Sequence, residues 1–203
     1  MTLAVGLVGL GFGEKVLAPA LRRVKGLRIA GVACAHPDKA REAAERLGIA
    51  RAAGSWRDLV DDPRIDALAF ALPPAVQYPA VRRALSLRKP VFCEKPLAVT
   101  GRQARELMRL AARKNVAGAV DFELPQIEAW RRVKERLDGG TIGTLREMQV
   151  TWNVETYAVR HDLHSWKTDA RAGGAVLNNF VSHTFHYIEH FAGAARRLQC
   201  RLW

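Results

Sequence analysis

The sequence predicts an α/β fold: a doubly wound parallel sheet, followed by a partial α+β domain with an open sheet. Three observations predict it. Short β-rich apolar runs alternate with amphipathic helical stretches over residues 1-120, the rhythm of right-handed strand–helix–strand crossovers. A glycine-rich turn, Gly9-Leu10-Gly11-Phe12-Gly13, stands between the first strand and the first helix. After Asp121 the rhythm gives way to one helix, one alternating segment and a second helix.

Each element follows from its residues. Residues 3–8 are a continuous apolar run, suited to a central parallel strand buried on both faces. Beyond the glycines, Val16, Leu17, Ala20, Leu21 and Val24 recur at helical spacing and predict the first helix. Residues 27–34 read as the second strand. His36 as N-cap, Pro37 at N1 and Asp38 in the first turn open a helix that buries Ala40, Ala43, Ala44 and Leu47. Ser55 and Asp58 form a capping-box pair before a short helix. Residues 67–72 are a strand stopped by Pro73-Pro74, and a helix follows with Val76, Ala80, Val81, Ala84 and Leu85 inward. Residues 90–93 are the next strand. Thr100 and Gln103 cap the helix carrying Leu107, Met108 and Ala111, and residues 116–120 close the series.

In the second part, residues 125–137 form an amphipathic helix ended by Gly139-Gly140. Residues 145–155 alternate as a half-buried strand, with Leu145, Glu147, Gln149 and Thr151 against Met148, Val150 and Trp152. Gly173-Gly174 precede a helix over residues 175–192, and residues 198–203 open a further strand. The expected division is 1-120 as one domain and 121-203 as an incomplete second one. Such a half-domain implies a truncated chain, a naturally short one, or a partner chain that completes the sheet. Trp130, Trp152 and Trp166 are expected in packing.

Composition narrows the function classes. An apolar fraction of 49% with 26% charged residues is that of a soluble globular protein. The net charge of +12 comes from 24 arginines and 8 lysines against 20 acids. These charges are spread over helical segments without like-charged blocks or interleaved aromatics, so solvated faces are expected and nucleic acid is not. Cys34, Cys93 and Cys200 are widely spaced in apolar surroundings, which fits a reducing cytoplasm rather than a disulfide framework. The glycine-rich start lacks the basic region of a signal peptide, and no apolar run has the length of a membrane span.

The glycine turn carries the first chemical signal. Gly9 permits the tight turn, Gly11 lets a diphosphate approach the backbone, and the helix head supplies amide donors. The third glycine of GxGxxG is Glu14 here, with Gly13 giving clearance one residue earlier. This turn predicts a Rossmann-type domain for NAD or NADP. The acid that ordinarily reads the ribose at the end of the second strand is missing from Ala33-Cys34-Ala35-His36. An opening flanked by Cys34, His36, Lys39 and a helix N-terminus suits a 2′-phosphate, so NADP is favoured over NAD. Asp38, the nearby acid, reads as first-turn helix charge.

The second signal is Cys93-Glu94-Lys95-Pro96 at the carboxyl end of a parallel strand, where open α/β sheets place ligands. The glycine turn, Leu72-Pro73-Pro74, Glu94-Lys95-Pro96, and Gly173-Gly174-Ala175-Val176-Leu177-Asn178-Asn179 followed by His183 together resemble the Gfo/Idh/MocA oxidoreductase family along the whole chain. The resemblance implies NAD(P)-linked oxidation or reduction of a sugar, inositol or related polyol, and a homo-oligomer built through the C-terminal sheet. It implies a dinucleotide site of Gly9, Gly11, Phe12, Gly13, Cys34, His36, Lys39, Leu72, Pro73, Pro74, Gln77, Glu94, Lys95 and Pro96. It also implies Lys95 and His183 as proton-handling residues. Asn179 stands where the family has an aspartate, Val181 at the motif's glycine, and His186 at a further acid.

Oxidation of a carbinol needs a group that takes the hydroxyl proton. His183 can do so near neutral pH, and Lys95 can relay a proton once burial lowers its pKa. Asn179 can orient a hydroxyl but cannot accept a proton. That substitution leaves two other expectations open: a non-catalytic member that senses dinucleotide or sugar, and an inactive fragment. His183, His186 and His190 share a helical face with His161 and His164 upstream. Without an HExxH arrangement or paired cysteines, no metal is assigned.

Overall fold

A computed structural model describes residues 2–201. They form two compact units. The first comprises the residues up to Asp121 together with Arg171–Gly173, and the second comprises the remainder.

The first unit is one parallel sheet covered by helices. Strand β1 is Leu3–Val8, and a helix opening at Gly11 passes through a π turn, Gly13–Leu17, into α1, Ala18–Arg22. Then come β2 (Leu27–Ala33), α2 (Pro37–Arg46), β3 (Ala52–Ala53), α3 (Trp56–Val60), β4 (Ala67–Phe70), α4 (Pro74–Ser86), β5 (Val91–Glu94), α5 (Gly101–Lys114) and β6 (Gly118–Asp121). The strand order is β3-β2-β1-β4-β5-β6, with every neighbouring pair parallel. The direction of winding reverses between β1 and β4, so their carboxyl ends open the crevice where doubly wound sheets bind ligands.

Period-two alternation distributes the apolar runs to both faces of the sheet. In β4, Leu68 and Phe70 join one core with Val81, Leu85 and Leu107, while Ala67 and Ala69 join the other with Leu7, Leu17 and Val32. The caps expected from the sequence are present. The Ser55 hydroxyl accepts from the Asp58 amide, and Thr100 and Gln103 form a reciprocal capping box. His36 is the N-cap of α2 through its backbone alone.

Two burial expectations are corrected. Val16, Ala20 and Val24 are exposed, while Leu17 and Ala18 are buried. The π turn adds one residue to the helix's first rotation, and this turns a different stripe to the sheet. Val76 is likewise exposed at 40%, and its neighbour Gln77 faces inward with no exposure at all. Gln77, Ala80, Val81 and Ala84 share the buried side of α4 at the helical spacing.

The second unit holds a 3-10 turn at Leu124–Gln126, α6 (Glu128–Asp138), α7 (Tyr157–Arg160), and a π turn at Leu177–Val181 that runs into α8 (Ser182–Ala192). The expected helix over 125–137 begins at Glu128, because Ile127 is extended, and it ends at Gly139 as expected. The strand expected over 145–155 does not form. Among the described residues that segment pairs with no neighbour and carries no regular structure. Alternation specifies which side chains would share a face, but a strand exists only where a ladder partner takes its backbone groups. The same holds for residues 198–201, and residues 202–203 lie outside the described residues. Trp130 packs on Tyr187 and Phe191, and the Trp152 indole donates to the Tyr187 hydroxyl at 2.7 Å. These aromatic contacts and their one polar bond tie the flank of α8 to the rest of its unit.

Candidate functional site

At the carboxyl end of β1 the chain must leave the sheet within two residues while the end of β4 lies alongside. Gly9 makes this possible. Its φ is +97°, and a Cβ there would stand 2.1 Å from the Ala71 carbonyl oxygen. The Gly9 amide donates to the Ala33 carbonyl at 2.8 Å, and the Ala71 amide donates to the Val8 carbonyl at 2.8 Å, locking the turn between β2 and β4. Gly11 differs: nothing lies within 4 Å of where its Cβ would be. That open space sits in the first turn of a helix, whose leading amides lack intrahelical acceptors and favour anions. Gly13 is packed, with Leu7 Cδ1 at 3.3 Å and Ala71 Cβ at 3.4 Å from its Cβ position. It supplies the close helix–sheet approach that the third motif glycine would otherwise give. Glu14, at that third position, is held by Arg46 of α2 through bonds of 2.9 and 3.2 Å. Phe12, between the two glycines, is 48% exposed.

At the end of β2, Cys34 is half-buried and its thiol donates to the His36 carbonyl at 3.1 Å. His36 and Lys39 are exposed. Asp38 is paired with Arg41 one turn along α2, so the nearest acid to the end of β2 is already engaged by a guanidinium.

At the ends of β4 and β5, Leu72, Pro73, Glu94 and Lys95 are half-buried, while Pro74 and Pro96 are buried. The Lys95-Pro96 peptide is cis. Gln77 lies beneath both loops. Its amide nitrogen donates to the Glu94 carbonyl at 2.6 Å and to the Pro96 carbonyl at 3.2 Å, and its oxygen accepts from the Leu72 amide at 3.3 Å. Gly173 lies against the same loops. At φ +86°, a Cβ there would fall 2.9 Å from Pro74 Cβ and 3.3 Å from Val99 Cα. Cys93, on the buried side of β5, has its thiol pushed up by burial, with Glu94 adding to the effect, so it stays protonated.

The second unit gathers another set. Asn179 is 8% exposed within the π turn and His183 is 7% exposed in the first turn of α8. Phe122 meets the His183 ring edge-on at 5.7 Å and stacks on His186 at 4.5 Å, 13° from parallel. Desolvation, then the neighbouring His190, push the His186 pKa below its ordinary value, which favours the neutral imidazole. Among the described residues, no group of three or more His, Cys, Asp or Glu could hold a metal ion, and no helix is long and apolar enough to cross a membrane.

Sequence reasoning overlooked three features. Phe122 directly follows the last strand, and its position at that carboxyl end was the signal. The bridging use of Gln77 was marked only by its place in an apolar stripe. The packing of Gly173 on Pro74 and Val99 was hidden, since the two segments are far apart in sequence.

Comparison with known proteins bears on this arrangement. Residues 3–122 match the model of the oxidoreductase family with an NAD-binding Rossmann fold, Gfo/Idh/MocA, and residues 130–203 match a C-terminal domain of the same family. An uncharacterized oxidoreductase of Synechocystis is 32% identical over 202 residues, covering 98% of this chain and 54% of that protein. An inositol 2-dehydrogenase of Ralstonia nicotianae is 33% identical over 149 residues, covering 70% and 43%. The structure of a levoglucosan dehydrogenase in complex with NADH and levoglucosan aligns with a TM-score of 0.81 at 25% identity, covering 95% of this chain and 54% of that one. The chain thus spans about half the length of the curated relatives it matches. On the two family matches, the chain belongs to the Gfo/Idh/MocA oxidoreductase family.

Proposed function

We propose that this chain is an NAD(P)-linked oxidoreductase acting on a CH–OH group of a sugar, inositol or related polyol. One observation carries the reading. The open space at Gly11, at the head of a helix, and the loop bearing Lys95 lie on the same carboxyl-end edge of one parallel sheet. The residues present fit a dinucleotide: the helix-head amides of Gly11, Phe12 and Gly13 would hold the diphosphate, and the loops at Leu72-Pro73-Pro74 and Glu94-Lys95-Pro96 would flank the nicotinamide. The bound nicotinamide would supply the hydride chemistry. Lys95 and His183 would hold or move the hydroxyl proton, and Asn179 would orient the substrate. In this reading residues 1-120 bind the dinucleotide and residues 121-203 carry the substrate-facing groups.

NADP is the favoured dinucleotide. No carboxylate ends β2, Asp38 is engaged by Arg41, and His36 and Lys39 are exposed where a 2′-phosphate would sit. NAD remains the comparison ligand, since the levoglucosan dehydrogenase complex contains NADH. The test is fluorescence titration with NADPH and NADH, followed by turnover of a panel that includes levoglucosan and myo-inositol. Lys95→Ala is expected to lower kcat by at least ~100-fold, the scale of acid–base catalysis, and an unchanged rate would remove Lys95 from the mechanism.

Asn179 supports a second reading, a non-catalytic member that senses dinucleotide or sugar. Dinucleotide binding without turnover of any panel member, persisting in Asn179→Asp, would select that reading. Turnover by the natural chain dismisses it. The homo-oligomer and the cytoplasmic setting are part of the same proposal. The second rests on three unbridged cysteines, and sedimentation tests the first.

A further inference from the structure

We infer that Gln77 is a positioning residue that fixes the loop carrying Lys95 to the loop that follows β4. The inference rests on the assignment of Lys95 proposed above. Gln77 is fully buried with its polar atoms on the main chain, so it is assigned no contact with dinucleotide or substrate and leaves the dinucleotide site in which the resemblance placed it.

Gln77 has no exposed surface. A carboxamide removed from water is tolerated only when its donors and acceptor are used, and here each is used on the main chain. Both carbonyl partners, Glu94 and Pro96, can only accept, and the Leu72 amide can only donate. The amide therefore has one satisfying orientation, and a flip would set oxygen against two carbonyls. Glu94 and Pro96 are the residues on either side of Lys95, so the two bonds pin the Glu94–Lys95 peptide unit before it and the Pro96–Leu97 unit just beyond it. The third bond reaches Leu72, where the chain leaves β4. Gln77 itself is anchored in the first turn of α4, its backbone amide donating to the Pro73 carbonyl at 2.8 Å.

One side chain thus sets the spacing between the two loops and the path of the backbone at Lys95. Proton transfer depends steeply on such placement, because ångström-scale displacements of a reacting group cost rate without unfolding the chain. A staple elsewhere in the fold would not act this way. Asp62, which ties Arg51 and Arg64 together, lies between α3 and the start of β4, at the sheet edge away from these loops.

The test uses the whole chain with two substitutions. Gln77→Met keeps the volume and removes all three bonds, whereas Gln77→Glu keeps an acceptor and loses the amide donors until its carboxyl is protonated. Hydrogen exchange at residues 94–98 should quicken by at least ~5-fold in Gln77→Met, the scale of a lost hydrogen bond, with α2 and α5 unchanged. With any panel substrate the natural chain turns over, kcat should fall ~10–100-fold while KM holds within ~3-fold, a split expected of misplacement rather than lost binding. Gln77→Glu should regain rate as pH falls and its carboxyl becomes a donor. The NADPH dissociation constant should stay within ~3-fold, because Gln77 is given no ligand contact.

Unchanged exchange at residues 94–98, or equal losses in kcat and in NADPH affinity, would overturn the inference. If Gln77→Met does not fold, Gln77→Glu decides by the same readouts. If the natural chain turns over no substrate, the proposed activity fails, while exchange at residues 94–98 still decides whether Gln77 positions Lys95.

Discussion

A Cβ at Gly9 would overlap the carbonyl oxygen of Ala71, 2.1 Å away, whereas a Cβ at Gly11, two residues on, would meet nothing within 4 Å. One glycine is therefore required by the fold, and in the proposed reading the open space at the other takes the diphosphate. Gly9→Ala is expected to cost at least ~3 kcal/mol, since both the left-handed backbone and the clash oppose it. Differential scanning calorimetry should show a fall in Tm of roughly 6–12 °C for a domain of this size. Gly11→Ala should melt like the natural chain and weaken dinucleotide binding by about 10-fold or more, some 1.4 kcal/mol. Equal binding by Gly11→Ala would move the diphosphate away from this turn.

These positions also show what the sequence made legible. The strand–helix rhythm was readable because the longer parallel strands carry their own apolar runs and α5 its own cap at Thr100 and Gln103, whereas the two-residue β3, Ala52–Ala53, has no such run. The site's loops were readable because Gly9, Pro73 and Lys95 sit where a strand ends. Other features depended on partners distant in sequence. The 145–155 segment alternates correctly but lacks a ladder neighbour. The π turn at Gly13–Leu17 begins at the glycine packed against Leu7 and Ala71, and no periodicity in residues 13–24 records it. Gln77 was passed over as an inward residue because a polar side chain in an apolar stripe reads as an interruption, and only its three backbone partners explain it.

The three thiols should separate by reactivity. Cys200 is exposed, Cys34 is half-buried beside the expected ribose position, and Cys93 is buried with its thiol pushed up. Iodoacetamide followed by mass spectrometry should label Cys200 first and Cys34 more slowly. Cys93 should react only after denaturation, since reactivity follows thiolate content and access. Saturating NADPH should slow labelling of Cys34 alone. Labelling of Cys34 at the same rate with and without NADPH would place the ribose elsewhere.

Asp62 gives the fold a pH-dependent component. It is 6% exposed and accepts from Arg64 through its side chain and backbone, with Arg51 Nε 2.9 Å away. The Arg64 side-chain bond, then its backbone bond, lower the Asp62 pKa from 3.8 to about 2. Its folded value lies below its unfolded one, so the unfolded chain takes the proton first. The contribution is complete above pH 5 and is lost as pH falls from about 4 toward 2. Asp62→Asn should cost on the order of 2 kcal/mol at pH 7. Urea melts of the two chains should converge as pH approaches 2, and a pH-independent difference would show that the carboxylate's charge is not what matters.

Phe122 and His186 provide the corresponding probe in the second unit. Their rings stack at 4.5 Å, and desolvation is the largest cause of the lowered His186 pKa, with His190 next and Glu189 and Glu123 opposing. Phe122→Ala removes the apolar ring and admits water to one face of the imidazole, so the pKa should rise toward 6.5, its ordinary value. The His190 charge would remain, so the recovery should be partial. Proton NMR of the imidazole over pH 5–8 reads this directly, with His186→Gln assigning the resonance. The folded chain resists protonating His186, so its stability should decline as pH drops through the ordinary imidazole range, and this decline should be shallower in Phe122→Ala. An unmoved resonance would show that His190, not the stacked ring, holds His186 neutral.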